Sequence, residues 1–195
     1  MTNFKQDKGD WEVQYQSGQL DRLCSDQEFT RYKVLASFIE KCRRNISLLD
    51  IGCGEGLILK HLNLDLIEKY TGLDLAQTAL GRISPKREQD DFICSSLEEY
   101  RPSETWDVIL FNEILYYTDD PVAQLRKFEK SLKEGGFFLV SMHRKRNPLA
   151  YNNRCIRRLR NYFKEARYLV QDAVEISKIY QPVAWQVFVV QPPGS

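Results

Sequence analysis

Apolar residues come in short continuous runs along this chain, and the runs alternate with segments in which they recur at helical intervals. That alternation marks an α/β fold with a mainly parallel sheet. Phe29, Tyr32, Val34, Leu35, Phe38, Ile39 and Cys42 line one face of an amphipathic helix expected over Gln27 to Arg43. Trp11, Tyr15 and Leu20 precede it in a shorter helical or looped arm. Ile46 to Ile51 reads as a strand ending at glycines, Gly56 to Leu64 as a helix, and Lys69 to Leu73 as a second strand ending in Asp74. Leu75 to Ile83 reads as a helix stopped by Pro85, because proline disfavours helical geometry in the residue before it. Asp91 to Cys94 is a brief third strand.

Trp106 to Phe111, WDVILF, is nearly continuous in apolar residues, as a strand buried on both faces requires. Pro121 to Leu132 sets Val122, Leu125, Phe128 and Leu132 on one side of a helix, which Glu134-Gly135-Gly136 is expected to end. Phe137 to Met142 is the fifth strand. Ala173 to Ile179 and Trp185 to Val190 alternate and read as two closing strands about a Gln181-Pro182 turn. The expected sheet is thus seven-stranded and mainly parallel, with an antiparallel last strand.

Length and composition narrow this picture. A chain of 195 residues has room for one sizeable core, so a single domain is expected. No apolar run reaches the roughly 20 residues of a bilayer span, and the polar N-terminus MTNFKQDKGDWE is unlike a secretory signal. A soluble, cytoplasmic protein without membrane partners is expected. Cys24, Cys42, Cys53, Cys94 and Cys155 are scattered and form no C-x-x-C pair; with only His61 and His143 besides, neither a disulfide framework nor a metal site is indicated. The net charge of +1 conceals an asymmetry: residues 143–167 carry nine Lys or Arg against Glu165 alone, a local +8 that leaves −7 elsewhere. Such a run is either a solvated helix face or a basic rim for an anionic partner such as a phosphate, a sugar nucleotide or a nucleic acid.

The candidate chemistry lies where the first strand meets its glycines. A strand that delivers a glycine-rich turn to a helix start is a nucleotide-site arrangement in open α/β sheets. No lysine or hydroxyl residue follows Gly56, which argues against a triphosphate loop, and Leu57 stands where the pyrophosphate fingerprint needs its last glycine. The chain has instead D-x-G-x-G-x-G, from Asp50 through Gly52, Cys53 and Gly54 to Gly56. Asp50 would repel a pyrophosphate and could hold an ammonium group, directly or through water. Asp74, at the end of the second strand, can accept hydrogen bonds from both hydroxyls of a ribose. Ammonium plus ribose without pyrophosphate describes S-adenosylmethionine.

From about Leu48 to Met142 the chain resembles the class I S-adenosylmethionine-dependent methyltransferases. LLDIGCGEG looks like the family's first motif, TGLDLA its second, DDFICSSLEEY its third, and WDVILFNEILYY and LKEGGFFLVS its later ones, in the family's order. The resemblance implies a single Rossmann-like three-layer α/β sandwich, with residues 1–45 an N-terminal arm or lid, 46–142 the cofactor-binding core, and 143–195 a basic helical segment with the closing strands. It implies S-adenosylmethionine as cofactor and S-adenosylhomocysteine as product. Asp50 and Gly52, Cys53, Gly54 and Gly56 would line the methionine end, Asp74 the ribose and Leu75 the adenine. Ser96 stands where many relatives carry an aspartate that reaches the adenine amino group, so Ser96, Ser95 or Leu97 would supply that contact. Asn112 and Glu113 would line the methyl region.

Methyl transfer from a sulfonium starts from an activated donor, so alignment is the main requirement and a base is optional. Glu113, Tyr116, Tyr117 and His143 are the candidate groups on the carboxyl edge. Each has a plainer reading: a helix-cap or surface carboxylate for Glu113, packing for the tyrosines, a surface loop for His143. His61, inside the helix expected from Gly56 to Leu64, reads as structural. The segment FNEILYY is also similar to the corresponding stretch of nodulation-factor N-methyltransferases, which act on an amino sugar. That resemblance favours a small amine or sugar-like acceptor, and the absence of [ND]-P-P-[YF] argues against exocyclic amines of nucleic-acid bases. An RNA or protein methyltransferase that uses the basic segment, and a cofactor-binding module without catalysis, are the competing readings.

Overall fold

The computed structural model describes residues 7–42, 45–178 and 183–194. The chain divides into two compact units, Met1–Arg101 and Pro102–Ser195. Among the described residues no helix is long and apolar enough to cross a membrane.

In the first unit, helix α1 is Lys8–Gln16, opened by a capping box in which Asp7 and Asp10 bind each other's backbone N–H. A 3₁₀ turn at Asp21–Cys24 leads to α2, Asp26–Ile39, which carries Tyr32, Leu35, Ala36 and Ile39 on its buried face. The helix expected over 27–43 thus ends four residues early in a 3₁₀ turn at Glu40–Cys42; Arg43 lies outside the described residues. Strand β1, Ile46–Ile51, is buried at every position, as a continuous apolar run demands. β2 is Ile67–Asp74, α3 is Gln77–Gly81, and β3 is Asp91–Cys94. Both β1 with β2 and β2 with β3 run parallel, with Asp50 opposite Gly72 and Asp74 opposite Cys94.

The helix expected from Gly56 to Leu64 does not form. Leu57–Lys60 is a tight 3₁₀ turn and Leu64–Leu66 a second one, capped by the Asn63 side chain. Leu57, Ile58 and Leu59 are all covered, so this stretch lacks the polar face that a surface helix turns to solvent. Nor does α3 fill the whole stretch from Leu75 to Ile83.

In the second unit β4 is Trp106–Asn112, α4 is Pro121–Lys127, β5 is Leu132–Arg144, α5 is Tyr151–Glu165, β6 is Leu169–Ser177 and β7 is Ala184–Gln191. β4 and β5 are parallel, and β7 runs antiparallel to both β5 and β6. The seven strands follow the order β3-β2-β1 in the first unit and β4-β5-β7-β6 in the second. This is the mainly parallel arrangement with a reversed last strand that the pattern implied. The Gln181-Pro182 turn and Ile179 lie outside the described residues.

Glu134-Gly135-Gly136 does not end a helix. α4 already stops at Lys127, a 3₁₀ turn follows at Glu129–Ser131, and the glycines lie within β5 where its register against β4 jumps from Trp106↔Leu132 to Val108↔Phe137. Gly135 takes a left-handed φ of 75°. A Cβ on Gly136 would meet the carbonyl oxygens of Lys133, Asp107 and Trp106 at 2.9, 3.0 and 3.0 Å, so the strand is joined here by backbone that only glycine permits.

Candidate active site

The first unit builds a turn, then surrounds it with acid. β1 ends in Gly52, Gly54 and Gly56 at φ 73°, 54° and 65°, all in the left-handed region that glycine enters without steric cost. Gly52 N–H and Cys53 N–H both donate to the Leu73 carbonyl, at 2.8 and 3.0 Å, which ties the turn to the end of β2. Gly54 N–H donates to Asp74 Oδ2 at 2.8 Å, and Ala76 N–H to Asp74 Oδ1 at 2.9 Å. Burial raises the Asp74 carboxyl above the ordinary aspartate range, opposed by these backbone hydrogen bonds. A carboxylate offers about four lone-pair sites, so acceptor capacity remains for a ligand.

Asp50, near the end of β1, is 1% exposed. The Tyr70 hydroxyl donates to its Oδ2 at 2.8 Å, while its buried Oδ1 has no partner among the described residues. Burial is the main force on this carboxyl and pushes it up to about 7, against the Tyr70 hydrogen bond; the nearby Asp74 adds to the rise. Such an oxygen is expensive to leave unpaired and invites a donor.

Helix α1 closes over the same turn. A Cβ on Gly54 would stand 2.6 Å from the Tyr15 hydroxyl, so Gly54 is what lets this tyrosine approach the backbone. Glu12 accepts hydrogen bonds from Gln77 N–H at 2.6 Å and Thr78 N–H at 3.2 Å, and caps α3 from outside. Tyr15 and Leu20 pack with Ala76 and Ala79, flanked by Trp11 and Leu23. Burial, followed by the charge of Asp74, pushes the Tyr15 hydroxyl far up, so it stays protonated.

The remaining residues that sequence assigned to a cofactor in this unit lie nearby along the chain. Ser95 N–H donates to the Asp74 carbonyl at 3.0 Å, and Leu97 is buried. The Ser96 hydroxyl accepts Glu99 N–H at 3.1 Å, capping a turn of its own. The Leu75 carbonyl accepts the Cys94 thiol at 3.5 Å. His61 stacks on Tyr32 at 5.3 Å with an interplanar angle of 1° and meets Phe29 edge-on, which is a packing role.

Arg31 was not among the residues singled out from sequence. It is 1% exposed on α2, its Nε donates to Glu28 Oε2 at 2.8 Å, and its charge opposes the rise of the Asp50 carboxyl. The available signal was an arginine at four-residue spacing from Leu35 and Ile39, within an apolar helix face.

In the second unit the carboxyl ends of β4 and β5 converge, with Asn112 opposite Ser141. Glu113 follows at φ 62°, a left-handed conformation that costs an ordinary residue about 1–2 kcal/mol. Its surroundings hold it there. Glu113 N–H donates to the Ser141 carbonyl at 3.0 Å; its carboxylate accepts the Ser141 hydroxyl at 2.9 Å, the Tyr116 hydroxyl at 2.8 Å and His143 N–H at 2.9 Å. Tyr116 in turn packs on Tyr117 with ring centroids 4.7 Å apart. The His143 ring lies 6.2 Å from Trp185 of β7. Glu113, Tyr116, Tyr117 and His143 are therefore gathered in one place, with Glu113 as the strut between two strand ends.

Comparison with known proteins bears on the family and the fold. The family model for a methyltransferase domain matches residues 19–188. The ubiquinone biosynthesis O-methyltransferase of Bradyrhizobium sp. (strain ORS 278) is 30% identical over 104 residues, covering 51% of this chain and 41% of that protein. Human arginine-hydroxylase NDUFAF5, mitochondrial, is 32% identical over 102 residues, covering 51% of this chain and 29% of that protein. The match thus spans less than half the length of either relative. The crystal structure of N-methyltransferase NodS from Bradyrhizobium japonicum WM9, in complex with S-adenosyl-L-homocysteine, superposes with a TM-score of 0.72 at 19% identity, over 98% of this chain and 95% of that one, a likeness of fold. With the family model matched across most of its length, the chain belongs to the class I S-adenosylmethionine-dependent methyltransferases.

Proposed function

We propose that the chain binds S-adenosylmethionine and transfers its methyl group to a small-molecule acceptor, an amine or a sugar-like compound. The observation that carries this reading is the pair of acids framing the glycine turn. Asp50 keeps a buried oxygen without a partner, and Asp74 keeps lone pairs after binding two backbone N–H groups. An ammonium group and a vicinal diol satisfy both, whereas a pyrophosphate would meet two carboxylates. The buried cation of Arg31 adds an attraction for the carboxylate of an amino-acid moiety. Gly52, Cys53, Gly54 and Gly56 fit the amino-acid end, with Leu75, Ser95, Ser96 and Leu97 toward the base. The assignment of Asn112 and Glu113 to the methyl end rests on the order of the motifs.

When bound, S-adenosylmethionine supplies a methyl group on a positively charged sulfur, already activated for displacement. What the chain must add is alignment, which contributes about 7–11 kcal/mol in favourable cases. A neutral amine needs no base; a hydroxyl acceptor gains from one, and Tyr117 and His143 are the groups proposed to take its proton. The carboxylate of Glu113 already accepts three hydrogen bonds, which supports a holding role over a proton-accepting one. The names of the similar N- and O-methyltransferases support a small acceptor. All five cysteines are free thiols, which supports a reducing, cytoplasmic setting.

The test is transfer of labelled methyl from S-adenosylmethionine to a panel of amines, amino sugars, phenols, bulk RNA and protein, with Asp74→Ala as control. The expected result is a labelled small product that disappears in the variant. Cofactor binding without transfer to any acceptor would favour another chemistry on this fold, for which the hydroxylase among the similar proteins is the concrete precedent.

A further inference from the structure

Helix α5 presents a surface that methyl transfer to a small molecule does not require. Its apolar residues Cys155, Ile156, Leu159 and Phe163 are buried in the second unit, Phe163 edge-on to Phe188 of β7. The exposed positions carry Arg154, Arg157, Arg158, Arg160 and Lys164, which at helical periodicity occupy an arc of about 160°. Three of them are oriented by neighbours. Arg154 lies over the Tyr151 ring at 5.6 Å, Arg157 donates to the Pro148 carbonyl at 2.9 Å, and Arg158 pairs with Asp120 at 2.7 Å. The side chains of Arg160 and Lys164 make no hydrogen bond or ion pair with any described residue.

We infer that the exposed face of α5 docks the phosphate backbone of a nucleic-acid duplex. The inference goes beyond the small-molecule reading and depends on none of the cofactor residues. A helix that lies on an anionic membrane must free its apolar face to enter the acyl region, and that face of α5 is committed to the core. An acidic protein partner would meet an apolar centre inside a polar rim, yet every exposed position of α5 is Arg, Lys, Asn or Glu; the exposed aliphatic residues flanking it in the chain, Leu149 before it and Leu169 and Val170 after it, lie outside the row of charges along the helix. Bases of a single strand would need exposed aromatic platforms, and the exposed positions of α5 carry none. What remains is a row of four guanidinium forks and one ammonium, Arg154 to Lys164, about 15 Å long, suited to phosphates by charge and, at the arginines, by planar geometry.

The test is fluorescence anisotropy of the full chain with labelled RNA and DNA duplexes over graded salt, alongside phosphatidylserine vesicles and polyglutamate. Duplex affinity is expected to fall steeply with salt. Arg160→Gln with Lys164→Gln should flatten the log–log slope by about 2, near 0.9 for each phosphate no longer neutralised. Arg160→Lys with Lys164→Arg should keep the slope. No duplex binding at low salt, an unchanged slope in the glutamine variant at an unchanged melting temperature, or binding only to vesicles or polyglutamate would overturn the inference. Because the experiment reads duplex binding and neither cofactor binding nor methyl transfer, failure here leaves the methyltransferase reading untouched.

Discussion

Asp50 and Glu113 are both carboxylates at the carboxyl end of a parallel strand, and their surroundings give them opposite tasks. Asp50 is buried with one oxygen unpaired and a carboxyl raised to about 7. Its proton is bound more tightly in the folded chain than in the unfolded one, so on its account the free protein loses stability as pH rises from the ordinary aspartate range toward 7. A cationic ligand requires the ionised form. Affinity for S-adenosylhomocysteine should therefore fall as pH drops below about 7, approaching tenfold per unit, and Asp50→Asn should bind weakly without that dependence. Parallel pH profiles in both proteins would remove the ammonium assignment. Glu113 has its oxygens filled by Ser141, Tyr116 and His143 N–H. An amide cannot accept from all three, so Glu113→Gln should cost about 1–3 kcal/mol of stability and lower the melting temperature by several degrees. An unchanged melting temperature would return Glu113 to the list of solvated bases.

At the scale of elements, the strands were legible because apolar runs buried on both faces leave little choice of structure. Ile46 to Ile51, buried at every position, was placed to the residue; Asp91 to Cys94 was as well, although its positions are exposed or half-buried. Short helices were not legible. Leu57 to Leu59 reads as a helical run, and in the structure it is a buried 3₁₀ turn with no solvent face of its own. Glu134-Gly135-Gly136 carries the composition of a helix stop and serves as a register change inside β5, because its purpose lies in carbonyls contributed by Trp106 and Asp107 far along the sequence. Gly136→Ala should accordingly destabilise the second unit by about 1–3 kcal/mol, seen as a lower melting temperature, where an ordinary helix-terminal glycine would tolerate the change better. The arm follows the same rule. Trp11, Tyr15 and Leu20 were visible as aromatic and apolar positions, but Glu12, which caps α3, was not, since its partners are backbone N–H groups of Gln77 and Thr78. Glu12→Ala should speed amide exchange at these two positions and through α1; unchanged protection would mean that apolar packing alone holds the arm.

For the molecule as a whole, five motifs in family order made the fold class and cofactor legible, because the chemistry of an ammonium and a ribose fixes residue types at strand ends. The partner of the basic segment was not legible in this way: charge at residues 143–167 names a sign, and only the burial of the apolar face of α5 separates a membrane from a polyanion. The acceptor is less visible still, since Tyr117 and His143 are common residues whose meaning comes from their gathering around Glu113. Cofactor binding underlies every further step, so it is the place to test the reading. Calorimetric titration of S-adenosylhomocysteine into the chain at pH 8 should show one site per molecule, weakened by about 1–3 kcal/mol in Asp74→Ala, whose hydrogen bonds both the turn and a ribose would need. No binding to the parent chain, or equal affinity in the folded Asp74→Ala variant, would contradict it.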